Sequence, residues 1–222
     1  MEYHIVILAG GKGSRLNNSE SRPKPLVDIN GFSLISRLIL SLYQSKIFCN
    51  FHILTCYDSI LYEEILEKEI PNLKYKIYDE QKRTGRAGAL KFFLNKEKNI
   101  QKFFICNGDT LFPNLCSKEI YTPIHESNTK PIAYLAYGDS SRNDYKEIKL
   151  KNKNQYSGYQ NSGLIFLSRN WLKNSFDKNP SFDDIDQHLF KYEESCSYAL
   201  LSTSILDGGT PARLTKIRDL LN

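Results

Sequence analysis

The sequence lacks long apolar runs, paired cysteines and tracts of basic residues. No apolar run among the 222 residues is long enough to span a bilayer, so we predict no membrane contact. The five cysteines are scattered without a C-x-x-C motif, which favours reduced thiols in a cytoplasmic protein. The net charge of +5 is mild and no RNA-binding signature accompanies it. This charge favours a small anionic substrate over nucleic acid.

The sequence also lacks the spacings of a histidine-based site. Its four histidines show no metal-ligand spacing and form no Ser-His-Asp or Cys-His arrangement that the sequence can support. Packing or surface roles are therefore the better interpretation. The N-terminal segment has no basic stretch before its apolar residues, so we interpret it as a first strand and not as a secretion signal.

What the sequence does contain is the composition and alternation of an α/β protein. Apolar residues make up 41% and charged residues 25%, as in folded chains, and the length fits one domain spanning 1–222. The continuous apolar run Tyr3–Ala9 is typical of a strand buried on both faces. Because strands and helices alternate through the first half, we predict a Rossmann-like, mostly parallel sheet with helices on both faces.

The remaining elements follow from apolar patterns and capping residues. Further strands are predicted at Asn50–Cys56, Lys74–Tyr78, Lys102–Asn107, Pro131–Tyr137, Tyr145–Leu150, Ser162–Ser168 and Tyr198–Ile205. Helices are predicted at Ser33–Ser45, Ser59–Glu69, Gly88–Leu94, Asp183–Glu193 and Pro211–Leu221. Ser33 and Asp58 are suited to cap the first two helices, and Pro211 is suited to open the last.

The first predicted strand runs directly into a glycine-rich loop, Leu8–Leu16, which is followed by Pro23–Leu26. Glycines allow a tight turn and let backbone N–H groups approach an anionic ligand. Arg15 and Lys24 add positive charge at the same strand end; an arginine can fork onto phosphate oxygens and a lysine acts as a point charge. The loop therefore predicts a phosphate site, and a plain turn is the structural alternative.

Two better-known phosphate loops do not match this spacing. A dinucleotide fingerprint starting at Gly11 would need a third glycine where Leu16 stands. A Walker A loop would need Ser or Thr after its lysine, and Lys12 is followed by Gly13. A nicotinamide-dependent oxidoreductase and a P-loop NTPase are thus disfavoured.

Two aspartates follow predicted strands. Asp109 comes after the apolar run Phe103–Cys106, which places it at a carboxyl strand end, and Asp207 precedes the last predicted helix. Two carboxylates converging there would suit Mg²⁺, because this ion prefers oxygen ligands and keeps waters and phosphate oxygens. The structural alternative is that each aspartate caps the helix after it, although Thr210 would cap the last helix equally well.

These motifs together resemble the sugar-1-phosphate nucleotidyltransferases, whose signature is Gly-Gly-x-Gly-Ser/Thr-Arg-Leu followed by Pro-Lys-Pro. Four further segments resemble that family's landmarks in order, over essentially the whole chain. Glu80–Ala89 resembles the family's glutamate followed by a Gly-Thr-Ala-Gly-Ala loop, and Asn107–Thr110 resembles its Gly-Asp metal motif. Asn161–Gly163 resembles its Asn-Ala-Gly segment, and Leu206–Pro211 resembles its Asp-x-Gly-Thr-Pro segment.

The resemblance implies a nucleoside triphosphate and a sugar 1-phosphate as substrates, Mg²⁺ as cofactor and pyrophosphate as leaving group. It implies catalytic roles for Arg15, Lys24 and Asp109, with Asp109 and Asp207 as metal ligands. The residues implied to bind the nucleotide are Leu8, Ala9, Gly10, Gly11, Gly13, Ser14, Gly85 and Gly88. Those implied to bind the sugar are Glu80, Asn161 and Gly163, with a turn role as the alternative for Asn161.

The chain departs from the family at two places. Arg86 stands where the family usually has Thr, and the sequence leaves a phosphate, a guanine edge and solvent open as its surroundings. The Glu-Lys pair that many relatives carry before Asn-x-Gly is missing from 153–158, and Lys146 or Lys149 are candidates to replace its lysine. The identity of the sugar is therefore open.

Within the family, the short chain looks most like the guanylyltransferases acting on D-glycero-α-D-manno-heptose 1-phosphate, which would serve capsule or surface polysaccharide synthesis. A mannose- or glucose-1-phosphate nucleotidyltransferase and a cytidylyltransferase for another phosphorylated small molecule remain alternatives. A regulatory homologue that binds a nucleotide sugar without making one is an alternative of another class, disfavoured by the presence of Arg15, Lys24, Asp109 and Asp207. The resemblance leaves a homodimer open.

Overall fold

The computed structural model describes residues 3–11, 22–56, 58–126, 130–137, 158–178, 185–186, 189 and 196–221. The strands found there are β1 (Tyr3–Leu8), β2 (Asp28–Ile29), β3 (Phe32–Ser33), β4 (Phe48–Thr55), β5 (Tyr75–Asp79), β6 (Lys102–Asn107), β7 (Thr110–Leu111), β8 (Ile132–Tyr137), β9 (Tyr159–Ser168), β10 (Ser197–Ser204) and β11 (Leu206–Asp207). The helices are α1 (Leu34–Gln44), α2 (Ser59–Glu69), α3 (Gly85–Lys96), α4 (Ser117–Glu126), α5 (Arg169–Lys178) and α6 (Pro211–Leu220), and a 3₁₀ turn covers Lys24–Leu26.

Seven strands form the main sheet in the order β10-β8-β9-β6-β1-β4-β5. Strands β1, β4, β5 and β6 are parallel neighbours, and β8 is parallel to β10. Only β9 runs against its neighbours, β6 and β8, among the strands paired in this sheet. The expectation of a mostly parallel, Rossmann-like sheet is therefore confirmed.

The chain order reverses at β1, and this reversal creates a crevice. After β1 the chain adds β4 and β5 on one side, and then crosses to place β6 on the other side. Leu8 pairs with Leu54 on one side and with Asn107 on the other, so the carboxyl ends of β1 and β6 lie side by side. In open α/β sheets such a switch point is where ligands bind.

The sheet buries a hydrophobic core on each face. Successive side chains of β1 point to opposite faces, and Ile5, Val6 and Ile7 are all fully buried. Ile5 and Ile7 pack in the core that contains apolar residues of α1, whereas Val6 packs in the core that contains Leu90 and Phe93 of α3. This burial on both faces explains the unbroken apolar run of the first strand.

Helix α3 is held at its C-terminal end by a buried arginine. Arg169, the first residue of α5, donates from Nε to the Ile100 carbonyl (2.8 Å) and from Nη1 to the Leu94 carbonyl (3.0 Å), and it also bonds the Glu97 carbonyl. Burial lowers the pKa of Arg169. A cation at a helix C-terminus is favourable, and here it fixes the helix whose opposite end faces the switch point.

Of the three residues predicted to cap or open a helix, Ser33 and Pro211 are confirmed. The Ser33 hydroxyl accepts from the Ser36 N–H (3.3 Å), and the Thr210 hydroxyl accepts from the Arg213 N–H (3.4 Å) with Pro211 opening α6. Asp58 occupies the N-cap position of α2, but its side chain makes no capping hydrogen bond there because its backbone is left-handed. The capping role predicted for its side chain is wrong.

Other elements differ from expectation. Helix α3 begins at Gly85, three residues before the predicted Gly88, and α4 and α5 were not predicted. Both helices are amphipathic, but Pro123 lies inside α4 and α5 is mostly polar, and these two features argue locally against a helix. The predicted strand Tyr145–Leu150 lies outside the described residues, as does most of the helix predicted over Asp183–Glu193, of which 185, 186 and 189 are helical.

The cysteine and membrane expectations can be compared with the structure. All five cysteines are free thiols, and Cys56, Cys106 and Cys196 are buried, as expected for reduced core residues. Across the part of the chain that the structure covers, no helix combines the length and the apolar character needed to cross a bilayer.

Candidate active site

A cavity of about 550 Å³ lies at the switch point, beside the carboxyl ends of β1 and β6. Residues from β1, the 3₁₀ turn, the start of α3 and the turn after β6 line it together. Eight residues proposed from the sequence as site residues are among them: Leu8, Ala9, Gly10, Gly11, Lys24, Glu80, Gly85 and Asp109. Segments distant in the sequence thus meet at one sheet edge.

The turn after β1 is fixed by the two neighbouring strands. The Ala9 N–H donates to the Leu54 carbonyl (2.8 Å), and the Ala9 carbonyl accepts from the buried Tyr62 hydroxyl (3.1 Å). A Cβ on Gly10 would lie 3.1 Å from the Cβ of Cys56, so this glycine permits the close approach of β1 and the end of β4. The start of the glycine turn is therefore held against its neighbours where it lines the cavity.

Lys24 and Asp109 form an ion pair inside the cavity. The Lys24 ammonium contacts Oδ2 of Asp109, and the side chains keep 15% and 27% of their exposure respectively. The 3₁₀ turn carries Lys24 between Pro23 and the buried pair Pro25 and Leu26, which anchors the lysine. Asp109 stands in the turn between β6 and β7, at the strand end that the sequence predicted.

Asp207 is brought close to Asp109 by a short pair of antiparallel strands. Strand β11 pairs with β7 so that Asp207 lies opposite Thr110, and the Gly208 N–H donates to the Asp109 carbonyl (2.8 Å). The two aspartates therefore lie on adjoining backbone segments. Asp109 lines the cavity, whereas Asp207 does not line it as the structure describes it.

The carboxylate of Asp207 is buried and already has two polar neighbours. Its Oδ1 accepts from the Gly209 N–H (2.6 Å), and its Oδ2 lies 3.3 Å from Nη1 of Arg213. A Cβ on Gly209 would lie 2.8 Å from that Oδ1, so the glycine is required for this approach. Sequence reasoning missed Arg213, whose only signal is its place in the first turn of α6, six residues after Asp207.

The donor set fits a magnesium ion that arrives with a phosphate ligand. Among the described residues, no three His, Cys, Asp or Glu side chains gather as a metal site. The protein thus offers two carboxylates, from Asp109 and Asp207, and Mg²⁺ is commonly held by one or two carboxylates with waters and substrate phosphates. The described residues therefore do not form a metal site made of protein ligands alone.

The loop that opens α3 forms the opposite wall. The Thr84 hydroxyl donates to Oε2 of Glu80 (2.8 Å), and burial raises the pKa of the Glu80 carboxyl. Gly85 has a left-handed backbone with φ of 74° and lines the cavity. Gly88 lies one turn into α3 against Thr84, where a Cβ would come within 2.3 Å of the Thr84 side chain, and it does not line the cavity as the structure describes it.

Arg86 lines the cavity and forms an ion pair with Asp186. Its side chain keeps 26% of its exposure. A carboxylate therefore pairs with this arginine at the cavity wall, an environment that the sequence alone did not single out.

Asn161 and Gly163, two of the residues proposed for the sugar, lie on β9 and do not line the cavity as the structure describes it. Gly163 has φ of 78°, and a Cβ there would lie 2.8 Å from Nδ2 of Asn107, which lines the cavity. The Asn161 Oδ1 accepts from the Gly163 N–H (2.9 Å), which is the turn-like role considered as an alternative. Asn107 was not proposed as a site residue, although its place two residues before Asp109 is a usable signal.

Some proposed residues cannot be placed. Gly13, Ser14 and Arg15 of the glycine-rich loop lie outside the described residues, as do Lys146 and Lys149.

The doubly wound sheet with its cavity at the switch point defines the class of α/β proteins that bind ligands at the carboxyl ends of their strands. Residues 4–156 match the family model described as nucleotidyl transferase. The chain belongs to the nucleotidyl transferase family.

Curated relatives cover part of this chain. The bifunctional protein GlmU of Methanococcus maripaludis strain C7 is 33% identical over 114 residues, which are 48% of this chain and 25% of that protein. GlmU of a Nitratiruptor species is 29% identical over 111 residues, or 49% and 24%. The chain thus matches about a quarter of the length of these relatives.

Solved structures match over nearly the whole chain. HddC from Yersinia pseudotuberculosis has a TM-score of 0.77 and 23% identity, covering 99% of this chain and 100% of that one. The inositol-1-phosphate CTP transferase from T. maritima has a TM-score of 0.73 and 20% identity, covering 99% and 95%. A glucose-1-phosphate thymidylyltransferase described as putative, from Bacillus anthracis, has a TM-score of 0.74 and 20% identity over the same shares. These likenesses confirm the fold.

Proposed function

We propose that the protein transfers a nucleoside monophosphate from a nucleoside triphosphate to a sugar 1-phosphate and releases pyrophosphate. The observation that carries this proposal is the meeting of the glycine turn, Lys24 and Asp109 in one cavity at the switch point of a nucleotidyl transferase family member. The ladder that brings Asp207 beside Asp109 supplies the second carboxylate.

The reaction places modest demands on acid–base chemistry. A phosphate oxygen of the sugar 1-phosphate attacks the α-phosphorus in line and forms a new P–O bond. The bond from the α-phosphorus to the bridging oxygen breaks, and its electron pair leaves with pyrophosphate. Because the nucleophile is already an anion, the site must chiefly position the phosphates and neutralise their charge.

The chain's own residues divide this work. Lys24, with Arg15 as its predicted companion, neutralises charge that develops on the leaving pyrophosphate. Asp109 and Asp207 would hold Mg²⁺, which supplies Lewis-acid charge neutralisation at the phosphate oxygens. Arg213 fixes one oxygen of Asp207 and so orients that carboxylate.

The substrate pockets are assigned by position. We assign the nucleotide to Leu8, Ala9, Gly10, Gly11, Gly13, Ser14, Gly85 and Gly88, of which Gly88 supports the wall through Thr84. We assign the sugar to Glu80, Asn161 and Gly163, and we add Asn107, which lines the cavity in front of Gly163.

For the particular substrates we propose GTP and D-glycero-α-D-manno-heptose 1-phosphate, with capsule or surface polysaccharide synthesis as the purpose. The similarity to HddC, which has been solved complexed with GMP-PN, supports the guanine nucleotide (TM-score 0.77, 21% identity). The similarity to the inositol-1-phosphate CTP transferase keeps a cytidylyltransferase as the second candidate. A cytoplasmic location and a homodimer stay predictions.

A pyrophosphate-release screen tests the proposal. The four common nucleoside triphosphates are each incubated with a panel of sugar 1-phosphates, with and without Mg²⁺. We expect release with GTP and the heptose 1-phosphate and none after chelation of the metal. Release with CTP but not GTP would remove the guanylyltransferase assignment and keep the reaction class.

The same screen separates the regulatory alternative. If no pair releases pyrophosphate while the protein still binds a nucleotide sugar by calorimetry, the protein is a sensor and not a transferase.

A further inference from the structure

Arg86 presents hydrogen-bond donors that the protein does not use. Its Nη1 contacts the carboxylate of Asp186, which lies 100 residues further along the chain. Its Nε and Nη2 atoms are buried, and no hydrogen-bond acceptor reaches them in the described structure. Buried donors are normally paired, so Nε and Nη2 lack a hydrogen-bond acceptor that a bound ligand would supply.

The geometry of a guanidinium defines what that ligand offers. The N–H groups of Nε and Nη2 point side by side from one edge of the planar group, and this fork matches two oxygens of a phosphate. Asp186 contacts a different nitrogen, so it orients the group without occupying the fork. Arg86 follows Gly85 in the first turn of α3 and is one of the residues that line the cavity.

Three cationic side chains line the cavity. Lys24, Arg83 and Arg86 all line the cavity, against the carboxylates of Glu80 and Asp109. Arg86 and Asp109 also face the same strand end, since both act on the Cys106 thiol of β6: burial raises the pKa of that thiol, Asp109 raises it further and Arg86 lowers it. Arg86 therefore lines the same cavity as Lys24 and Asp109.

We propose that the Nε and Nη2 edge of Arg86, oriented by Asp186, binds phosphate oxygens of a substrate in this cavity. The phosphate comes from the triphosphate or from the sugar 1-phosphate, and this choice of sources rests on the proposed function. Arg86 is then a substrate-binding residue, and Asp186 is a positioning residue that acts through it.

Binding without turnover tests the proposal independently of the reaction. Wild-type protein, Arg86→Gln and Lys91→Gln are titrated calorimetrically with inorganic pyrophosphate and with inorganic phosphate. Lys91 is an exposed lysine of the same helix, so its variant controls for the loss of one positive charge. We expect Arg86→Gln to weaken binding by about tenfold to a hundredfold, as for lost charge-assisted hydrogen bonds, and Lys91→Gln to bind like wild type.

Three outcomes would overturn it. Unchanged pyrophosphate and phosphate binding in Arg86→Gln would remove the phosphate ligand. Loss of guanosine binding with phosphate binding intact would assign the fork to a base edge instead. Full binding by Arg86→Lys would show that a point charge suffices, because lysine keeps the charge but lacks the fork.

Asp186→Asn separates positioning from a purely structural ion pair. We expect it to weaken phosphate binding severalfold, and Asp186→Glu to restore much of the loss. Arg86→Gln and Asp186→Asn could instead lower the thermal midpoint equally and leave phosphate binding unchanged. In that case the ion pair only stabilises the packing of the segment around Asp186 against α3, and the proposal fails.

Steady-state kinetics then distinguish the two phosphate sources. In Arg86→Gln, a rise in KM confined to the sugar 1-phosphate assigns the fork to the acceptor, and a rise confined to the nucleoside triphosphate assigns it to the donor. No rise in either KM would overturn the proposal. If the protein catalyses no transfer at all, the titrations still decide whether Arg86 binds phosphate.

Discussion

At the scale of single residues, the pair formed by Lys24 and Asp109 is the clearest meeting of distant parts of the chain. The two residues lie 85 positions apart, yet the ammonium contacts the carboxylate inside the cavity. Both keep some exposure, so neither is required to fill the core. Such a pair is better explained by a role in ligand binding than by a contribution to folding stability, because partly exposed ion pairs stabilise proteins little.

We expect Asp109→Asn to reduce turnover by about a hundredfold to a thousandfold, the usual cost of removing one group that stabilises developing charge. The thermal midpoint should change little, because Asp109 is only half-buried. Pyrophosphate release and circular dichroism measure the two effects. Asp219→Asn, at an exposed aspartate in the last turn of α6, is the control for the loss of one carboxylate and should leave both unchanged; near-normal turnover in Asp109→Asn would refute its role.

Gly163 and Gly158 form a matched pair of left-handed glycines. Their φ angles are 78° and 81°, but a Cβ on Gly163 would lie 2.8 Å from Nδ2 of Asn107, whereas one on Gly158 would meet nothing within 4 Å. Gly158→Ala should lower the free energy of unfolding by about 1–2 kcal/mol, the cost of a left-handed side chain. Gly163→Ala should cost more and also raise KM, because Asn107 lines the cavity.

Urea unfolding and steady-state kinetics on both variants check this expectation. Equal losses of stability with an unchanged KM would mean that the contact with Asn107 has no consequence for the site.

At the scale of elements, a chain of polar side chains crosses β1, β4 and β5 away from the cavity. Nδ1 of His4 lies 2.9 Å from Nε2 of His52, and Nδ1 of His52 lies 2.9 Å from the Tyr78 hydroxyl. That hydroxyl donates to Glu97 (2.6 Å), which also accepts from Lys76 (2.9 Å). His4 and His52 therefore have packing roles, one of the two kinds of role that the sequence favoured.

This network predicts a pH dependence of stability. Burial, and then the neighbouring His4, lowers the pKa of His52 from 6.5 to about 4. Above pH about 6.5 the imidazole is neutral in both states and contributes nothing. Between pH about 6.5 and about 4 the unfolded chain binds a proton that folded His52 does not, so stability falls as the pH falls, by about 3 kcal/mol at most.

Urea unfolding of wild type and His52→Gln at several pH values between about 7.5 and about 4.5 tests this. The variant should be less stable at neutral pH but should lose less stability on acidification. Parallel pH profiles for the two proteins would contradict the lowered pKa of His52.

Element prediction succeeded where a local pattern was strong. Strand β1 and helix α1 were found because one is continuously apolar and the other has a clear amphipathic period with Ser33 as its cap. Helix α5 was missed because its sequence is mostly polar and its stability depends on contacts such as those of Arg169 with the end of α3. The antiparallel direction of β9 carries no local signature at all.

At the scale of the whole molecule, the cavity joins elements from both halves of the chain. Its walls come from β1, the 3₁₀ turn, the start of α3, the turn after β6 and the Gly209 segment before α6. A ligand that contacts all of them must stabilise the folded state, because the unfolded chain does not keep these walls together.

We therefore expect GTP with Mg²⁺ to raise the thermal midpoint. A concentration a hundred times the dissociation constant adds about 2.7 kcal/mol, which corresponds to about 5–10 °C for a chain of this size. Differential scanning fluorimetry measures the shift, and chelation of the metal should reduce it. Equal stabilisation by guanosine would contradict a site built around phosphates.

The sequence by itself determined the family, the buried parallel strands and the residue types of the site. Apolar runs, turn glycines and capping residues act over a few neighbouring positions, so they can be read without a fold. Only the tertiary structure decided which charges meet: Lys24 with Asp109, Asp207 with Arg213, and Arg86 with Asp186. Pairs such as the first and the last depend on chain crossovers that bring distant segments to one sheet edge, and no local pattern encodes that proximity.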